Sequence, residues 1–270
     1  MIRLQGFKTM WRDMITFPKL GIGAYRVWYR DFFYFKKFFI ASIFWSFTEP
    51  LLYIVAFGYG LGFFVGKIDG VPYLMFLAPA ILCTTAMQGA VFESTYSSFT
   101  KLRVQKTYET IMMTPVSVEE VVAGEIFWGA SKAFFGVLGV MTVFLVLGMI
   151  HHWQAWLALP VLLLLAWCIS AMSMVVTSYA RDYDSFTYFF SIVVTPMSLL
   201  AGTFFPLSQL PKWAQAMAWV LPLTHGVKVS RELFLGRWDH SLWINLLILV
   251  IMAILFTNWS IGQTRRRLVY

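Results

Sequence analysis

Charge is scarce in this chain: Asp, Glu, Lys and Arg make up 13% of its 270 residues, about half the share of an average soluble domain. So few ions cannot clothe a domain of this size in water, which excludes a soluble globular protein. Cysteine is nearly absent. Cys83 and Cys168 each fall inside an apolar run, which excludes a disulfide framework and a cysteine metal motif and leaves them as packing residues. The phosphate cradle G-x-x-x-x-G-K-[ST] is missing. The nearest fragment, Val65-Gly66-Lys67-Ile68, lacks the first glycine and the hydroxyl, so this chain alone is not expected to hydrolyse ATP. His151, His152, His225 and His240 have no metal-ligand spacing, and no serine sits in a nucleophile elbow. We therefore nominate no catalytic residue, no metal ligand and no cofactor held by the chain. A cleavable signal peptide is not expected either. The first apolar run begins near residue 38, is too long for a signal core and lacks a small-residue cleavage site.

What is present in excess is apolar surface: 59% hydrophobic residues, 19% aromatic, and a mean hydropathy of +0.70. A membrane-spanning helix needs roughly 20 predominantly apolar residues, and several windows qualify. The sequence predicts an all-α polytopic membrane protein with six crossings, over 38–64, 72–99, 121–150, 156–179, 186–205 and 242–262. Residues 1–37 are expected to form a cytoplasmic N-terminal segment, 38–262 a single six-span transmembrane domain and 263–270 a basic tail. Basic residues crowd one side of these crossings, from Arg3 to Lys37, then Lys101, Arg103, Lys106, Arg181 and Arg265 to Arg267. Only Lys67, Lys212, Lys228, Arg231 and Arg237 lie opposite, so both termini are expected in the cytoplasm. The net charge of +8 is thus a topology signal, and no nucleic-acid partner is expected.

Local patterns single out further residues. Before the first crossing, helical spacing puts Arg26, Arg30 and Lys37 on one face and Trp28, Phe32 and Phe35 on the other. That two-sided character suits an interfacial helix at the headgroup boundary, or simply the flank of the first crossing. Intramembrane charges are costly unless paired or wet. Glu49, followed by Pro50, is expected near mid-membrane, either on a wet pathway or in a structural hydrogen bond. Glu93, Glu125 and Lys132 lie nearer the cytoplasmic side. Glu125 and Lys132 share a helix face, and Glu93 with Lys132 can pair between helices and fasten them. In KLRVQKTYETIMMTPVSVEE, residues 105–113 predict a short cytoplasmic helix stopped at Thr114-Pro115. Ser117 and Glu120 spell an S-x-x-E capping box for the next helix. Tyr108, Ile111, Met112 and Met113 are awkward in a plain connector, so the loop reads as a docking element. The turn Arg181-Asp182-Tyr183-Asp184 is a second point of contact for the same partner. Finally, LLAGTFFPLSQLPKWAQAMAWVLPLTHGVKVSRELFLGR at 199–237 breaks an apolar span at Phe205-Pro206 and adds Pro211 and Pro222. Irregular backbone at membrane depth requires partners from protein or a wet cavity, which predicts an external re-entrant hairpin before the last crossing.

The order A-G-x-x-F-P, L-P, P-L-T-H, R and G in that last stretch resembles permease subunits of the type-2 ABC exporter family. The wording E-P-L-L-Y…F-G-Y-G-L-G from Glu49 to Gly62 resembles the branch that contains nodulation-factor (lipo-chito-oligosaccharide) exporters. The resemblance implies a homodimer worked by two copies of a cytosolic ATPase, which holds ATP and Mg²⁺, in a bacterial inner membrane. It implies a coupling helix at Arg103, Gln105, Lys106, Tyr108, Glu109 and Met112, and an interfacial helix at Arg26, Trp28, Arg30 and Phe32. It also implies an external gate at Phe205, Pro206, Pro211, Trp213, Pro222 and His225. The cargo would be an amphipath, a lipo-oligosaccharide or lipid-linked polysaccharide. A multidrug or hydrophobic small-molecule efflux permease is the alternative. An intramembrane lipid-modifying enzyme would need Glu49 or Glu93 to meet a histidine, and their depths argue against it.

Overall fold

The computed structural model describes residues 20–68 and 70–269. Arg3, Lys8, Arg12 and Lys19 lie outside the described residues. Helix α1 (Ile22–Lys37) has no side-chain cap of its own. Its free N-terminal amides go instead to a distant residue, Glu120, which accepts from Gly21 N and Gly23 N at 3.1 Å each. Phe38 breaks the chain, and α2 (Phe39–Tyr53) follows. Pro50 lies inside α2 and donates no backbone hydrogen bond. Soon after it the helix widens into π-type turns over Ile54–Leu61 and closes with a short helix, Gly62–Val65. A two-residue antiparallel ribbon, β1 (Lys67–Ile68) with β2 (Val71–Pro72), turns the chain back, with Lys67 opposite Pro72.

Helix α3 (Tyr73–Phe92) continues through π-type turns at Glu93–Ser97 and Thr100–Val104. After the short α4 (Thr107–Met112) comes α5 (Val118–Val146). The capping box is formed: Ser117 Oγ accepts from Glu120 N at 3.2 Å, and Ser117 N donates to Glu120 Oε2 at 2.9 Å. Helix α6 (Ala158–Tyr179) leads to α7 (Asp184–Phe189) and α8 (Thr195–Leu200), joined by π-type turns. Helices α9 (Lys212–Val220), α10 (Pro222–Phe234) and α11 (Ser241–Val269) complete the chain.

The core centres on α3, flanked by α5, α6 and α10, while α11 packs along α6. Within the stretch Tyr73–Val104, 78% of the apolar window is buried, against 18% for Thr48–Val65; α3 is the hub and α2 the periphery. Lipid tails are as apolar as leucine, so close packing and interhelical hydrogen bonds must hold such helices together. The Ser94 and Ser170 hydroxyls, 2.6 Å apart, tie the α3 extension to α6. Gly124 does the same for α1 and α5: a Cβ there would lie 2.7 Å from both Ala24 O and Val27 Cβ.

Among the described residues, five stretches are long and apolar enough to cross a membrane: Thr48–Val65, Tyr73–Val104, Val118–Val146, Trp153–Tyr179 and Ser241–Leu268. The crossing expected over 186–205 takes the form of a shorter apolar helical stretch, Asp184–Leu200. It stops early because Gly202 turns the backbone at φ +77°, a conformation glycine adopts at little cost.

Candidate functional site

Glu93, Glu125 and Lys132 converge with partners that spacing alone does not reveal. Glu93, on the α3 extension, takes Lys132 Nζ of α5 at 2.6 Å. Its other oxygen accepts from Trp128 Nε1 and Ser97 Oγ, each at 2.8 Å. Glu125 shares Lys101 with Glu93. Its oxygens meet Lys101 Nζ and Arg30 Nη2, each at 2.8 Å. Lys101 also reaches Asp31 Oδ2 at 3.1 Å and Glu93 Oε1 at 3.7 Å, and Arg30 pairs with Asp31 at 2.8 Å. Asp31, Glu93 and Glu125 are thereby matched by Arg30, Lys101 and Lys132, so the cluster is neutral. It binds α1, α3 and α5 into one body.

This corrects the reading of α1. Arg26 is exposed, but Arg30 turns inward to the cluster rather than lying on an outer cationic face. Burial works against its charge, yet the Asp31 and Glu125 carboxylates more than offset that and hold its pKa above the usual value. Trp28 donates to Ser131 Oγ at 3.0 Å and stacks on Phe32, whose ring meets Trp128 edge-on. The expected apolar face of α1 is thus spent largely on α5, while Tyr25, Tyr29, Phe33 and Tyr34 remain exposed. Asp31 and Lys101 had no signal as site residues, since one looked like a lone surface acid and the other like a topology marker.

Glu49 stands apart from the cluster. It is exposed and accepts the Tyr53 hydroxyl at 2.8 Å. With Pro50 it lines a cavity of about 680 Å³ between α2, α3 and α5, whose floor is the Glu93–Lys132 pair.

In the loop between α3 and α5, Arg103, Gln105, Lys106 and Glu109 are exposed and Met112 is half-buried. Tyr108 is not available for docking. It is fully buried among Val27, Leu102, Val121 and Ile126, and burial pushes its phenol well above the ordinary value. The outward edge of α4 is instead Glu109, Thr110, Met113 and Thr114. Tyr183 of the second turn is tied to the α3 extension by a 2.8 Å hydrogen bond with Thr100 and by stacking on Tyr96.

The break after α8 is supplied with hydrogen-bond partners by two residues that sequence reasoning did not select. Arg231 Nη2 donates to Gly202 O at 2.8 Å and Nε to Phe76 O at 3.2 Å, with the guanidinium 3.7 Å above the Phe76 ring. Tyr73 donates its hydroxyl to Phe204 O at 3.2 Å. Phe205 and Pro206 are half-buried at the break, while Pro211, at the start of α9, and Trp213 are exposed. Pro222 and His225 are buried at the start of α10. The ring beside His225 is therefore Trp219, 5.6 Å away, and not Trp213. His225 Nδ1 lies 2.7 Å from Asn245 Oδ1, and Nε2 lies 3.0 Å from Trp219 O, which links α9, α10 and α11. Among the described residues no three His, Cys, Asp or Glu side chains gather as a metal site requires.

The described side chains build a neutral ionic hub, an exposed short helix and a pinned chain break within a bundle of long apolar helices. Comparison with known proteins agrees. The family model for the ABC-2 type transporter matches residues 24–235. Nodulation protein J of Rhizobium meliloti (strain 1021) is 34% identical over 261 residues, covering 96% of this chain and 100% of that protein. Nodulation protein J of Rhizobium leguminosarum bv. viciae is 36% identical over 255 residues, covering 94% and 98%. The inner membrane transport permease YadH of Escherichia coli (strain K12) is 26% identical over 246 residues, covering 90% and 95%. No solved structure matches. With its long apolar helices and these relatives in view, the chain belongs to the ABC-2 type transporter family of membrane permeases.

Proposed function

We propose that this chain is the membrane half of an ATP-driven exporter, worked by two copies of a cytosolic ATPase and assembled with a second copy of itself. The ATPase holds ATP and Mg²⁺. The cargo is an amphipath with a saccharide head and a lipid tail, moved outward across a bacterial inner membrane. Both termini lie in the cytoplasm, and the stretch Asp184–Leu200 supplies the sixth crossing, tilted or short. The observation that carries the reading is α4. Its outer edge, Glu109 and Thr110 with Met113 and Thr114 just beyond, is exposed, while its inner edge is locked by Tyr108 into the packing of α1 and α5. A push on α4 from below is delivered through Tyr108 and through Lys101, just upstream, to the ionic hub.

The test is reconstitution. The chain and a cytosolic ABC ATPase that copurifies with it are placed in vesicles with a fluorescent lipo-oligosaccharide. ATP-dependent appearance of the lipid in the opposite leaflet is expected, and it disappears when the ATPase is left out. Full transport by the isolated chain overturns the proposal. Transport of hydrophobic drugs with no effect on the glycolipid would favour the efflux alternative.

A further inference from the structure

We propose that the groove between α2, α3 and α5 is a binding site, within one protomer, for the uncharged, hydroxyl-rich head of an amphipath, with the Glu93–Lys132 pair as its latch. Two cavities meet there. The upper holds about 680 Å³ and the lower about 430 Å³, and Ser42, Glu93, Ser97 and Lys132 line both. The lower one is walled by Arg30, Asp31, Lys101, Gln105 and Thr107, at the level of the cytoplasmic loop. The ion pair at 2.6 Å therefore stands between a charged vestibule and a chamber whose volume is that of ordinary ligand pockets.

The chemistry of the upper chamber selects the head. Among the described residues that line it Lys132 is the only cation, and Glu93 already neutralises it. A phosphate head would meet no available positive charge. The acceptors are in place: the Glu49 carboxylate, and Gln88 Oε1, which is buried without a hydrogen-bond partner. A buried acceptor left unpaired is unusual in a folded protein, and donor hydroxyls or amides of a guest satisfy it. Tyr53, Phe92 and Tyr96 add ring surface to the walls, against which the C–H face of a sugar packs. The tail has its own place. Leu51 and Leu52 on α2, and Val55 in the π-type turns that follow, are exposed next to the lining residues Pro50 and Tyr53, so an acyl chain stays in the bilayer while the head turns inward.

The proposal takes from the exporter reading only that the cargo is amphipathic, and binding is measured without transport. The full chain in lipid nanodiscs is labelled with three photoreactive probes of one alkyl length, bearing a maltoside, a phosphocholine or a trimethylammonium head. The maltoside is expected to label peptides containing residues 49–53 and 84–92. Labelling per folded protein, isolated by gel filtration, should fall at least tenfold in Gln88→Leu and in Thr84→Trp, which fills the chamber. Equal or stronger labelling by either charged head, or unchanged maltoside labelling in both variants, overturns the site. The latch has its own readout: a cysteine introduced by Thr84→Cys should react at least tenfold faster with an impermeant maleimide added from the cytoplasmic side once Glu93→Gln and Lys132→Gln are combined. An unchanged rate overturns the latch. If export fails while labelling holds, the exporter reading falls and the site stands; if labelling fails while export proceeds, the reverse is true.

Discussion

Glu125 is buried near the start of α5, and its stability rests on Arg30 and Lys101. Breaking a buried ion pair from one side costs about 3–5 kcal/mol, because the partner's charge is left uncompensated. Glu125→Ala is expected to destabilise the chain by that order, read as a lower unfolding midpoint in detergent micelles. Glu93 and Lys132 allow a cleaner test, since they lie 2.6 Å apart on different helices. Glu93→Lys and Lys132→Glu should each lower the yield of folded protein, and the double swap should restore most of it. Failure of the swap to rescue either single variant would mean that this contact does not fasten α3 to α5. The pairing of Glu93 with Lys132 was readable from depth along two predicted helices. The part played by Asp31 was not, because nothing in its local sequence says which way α1 is rotated.

At the scale of elements, α1 and α5 are joined by a carboxylate and by the lack of a side chain. Glu120 caps its own helix through Ser117 and reaches across to Gly21 and Gly23. Gly124→Val is expected to push α1 off α5, since even a Cβ collides with Ala24 O and Val27. Overpacking of this kind costs about 1–3 kcal/mol. A Val27→Cys reporter, buried in the parent, should then become accessible to a soluble thiol reagent. Helix α4 separates two effects. Tyr108→Ala should cost about 3–5 kcal/mol in stability, as large buried aromatics do. Glu109→Arg should leave stability intact and abolish stimulation of the ATPase; wild-type stimulation in Glu109→Arg would remove α4 from the coupling path.

The turn before α7 responds to acid. Asp182 accepts from the Ser185 hydroxyl at 2.7 Å and from Ser185 N at 3.0 Å. These bonds favour the ionised form and hold its pKa below the ordinary value. Their stabilisation is present above the unfolded pKa and is lost as pH falls through the lower folded one. The protection factor of the Ser185 amide should therefore fall below about pH 4, and Asp182→Asn should remove that loss of protection.

At the scale of the whole molecule, the central position of α3 explains why the chain places its polar residues as it does. Hydroxyls and ions on the α3 extension face α5 and α6 rather than lipid. The peripheral α2 leaves one side of the groove open. At the break after α8, Arg231 and Tyr73 satisfy the carbonyls of Gly202 and Phe204, which is the condition irregular backbone must meet in an apolar setting.

Composition and periodicity alone decided the membrane class, most of the long helices, the helix start at Ser117 and the break near Phe205-Pro206. These follow from hydropathy, capping and proline, which act over a few neighbouring residues. Only the tertiary structure decided that Arg30 turns inward, that Lys101 bridges Asp31 and Glu125, that Tyr108 is core and that Trp219 rather than Trp213 meets His225. Those outcomes depend on how each helix is rotated about its axis and how closely it approaches its neighbours. That rotation is settled jointly by contacts among residues far apart in the chain.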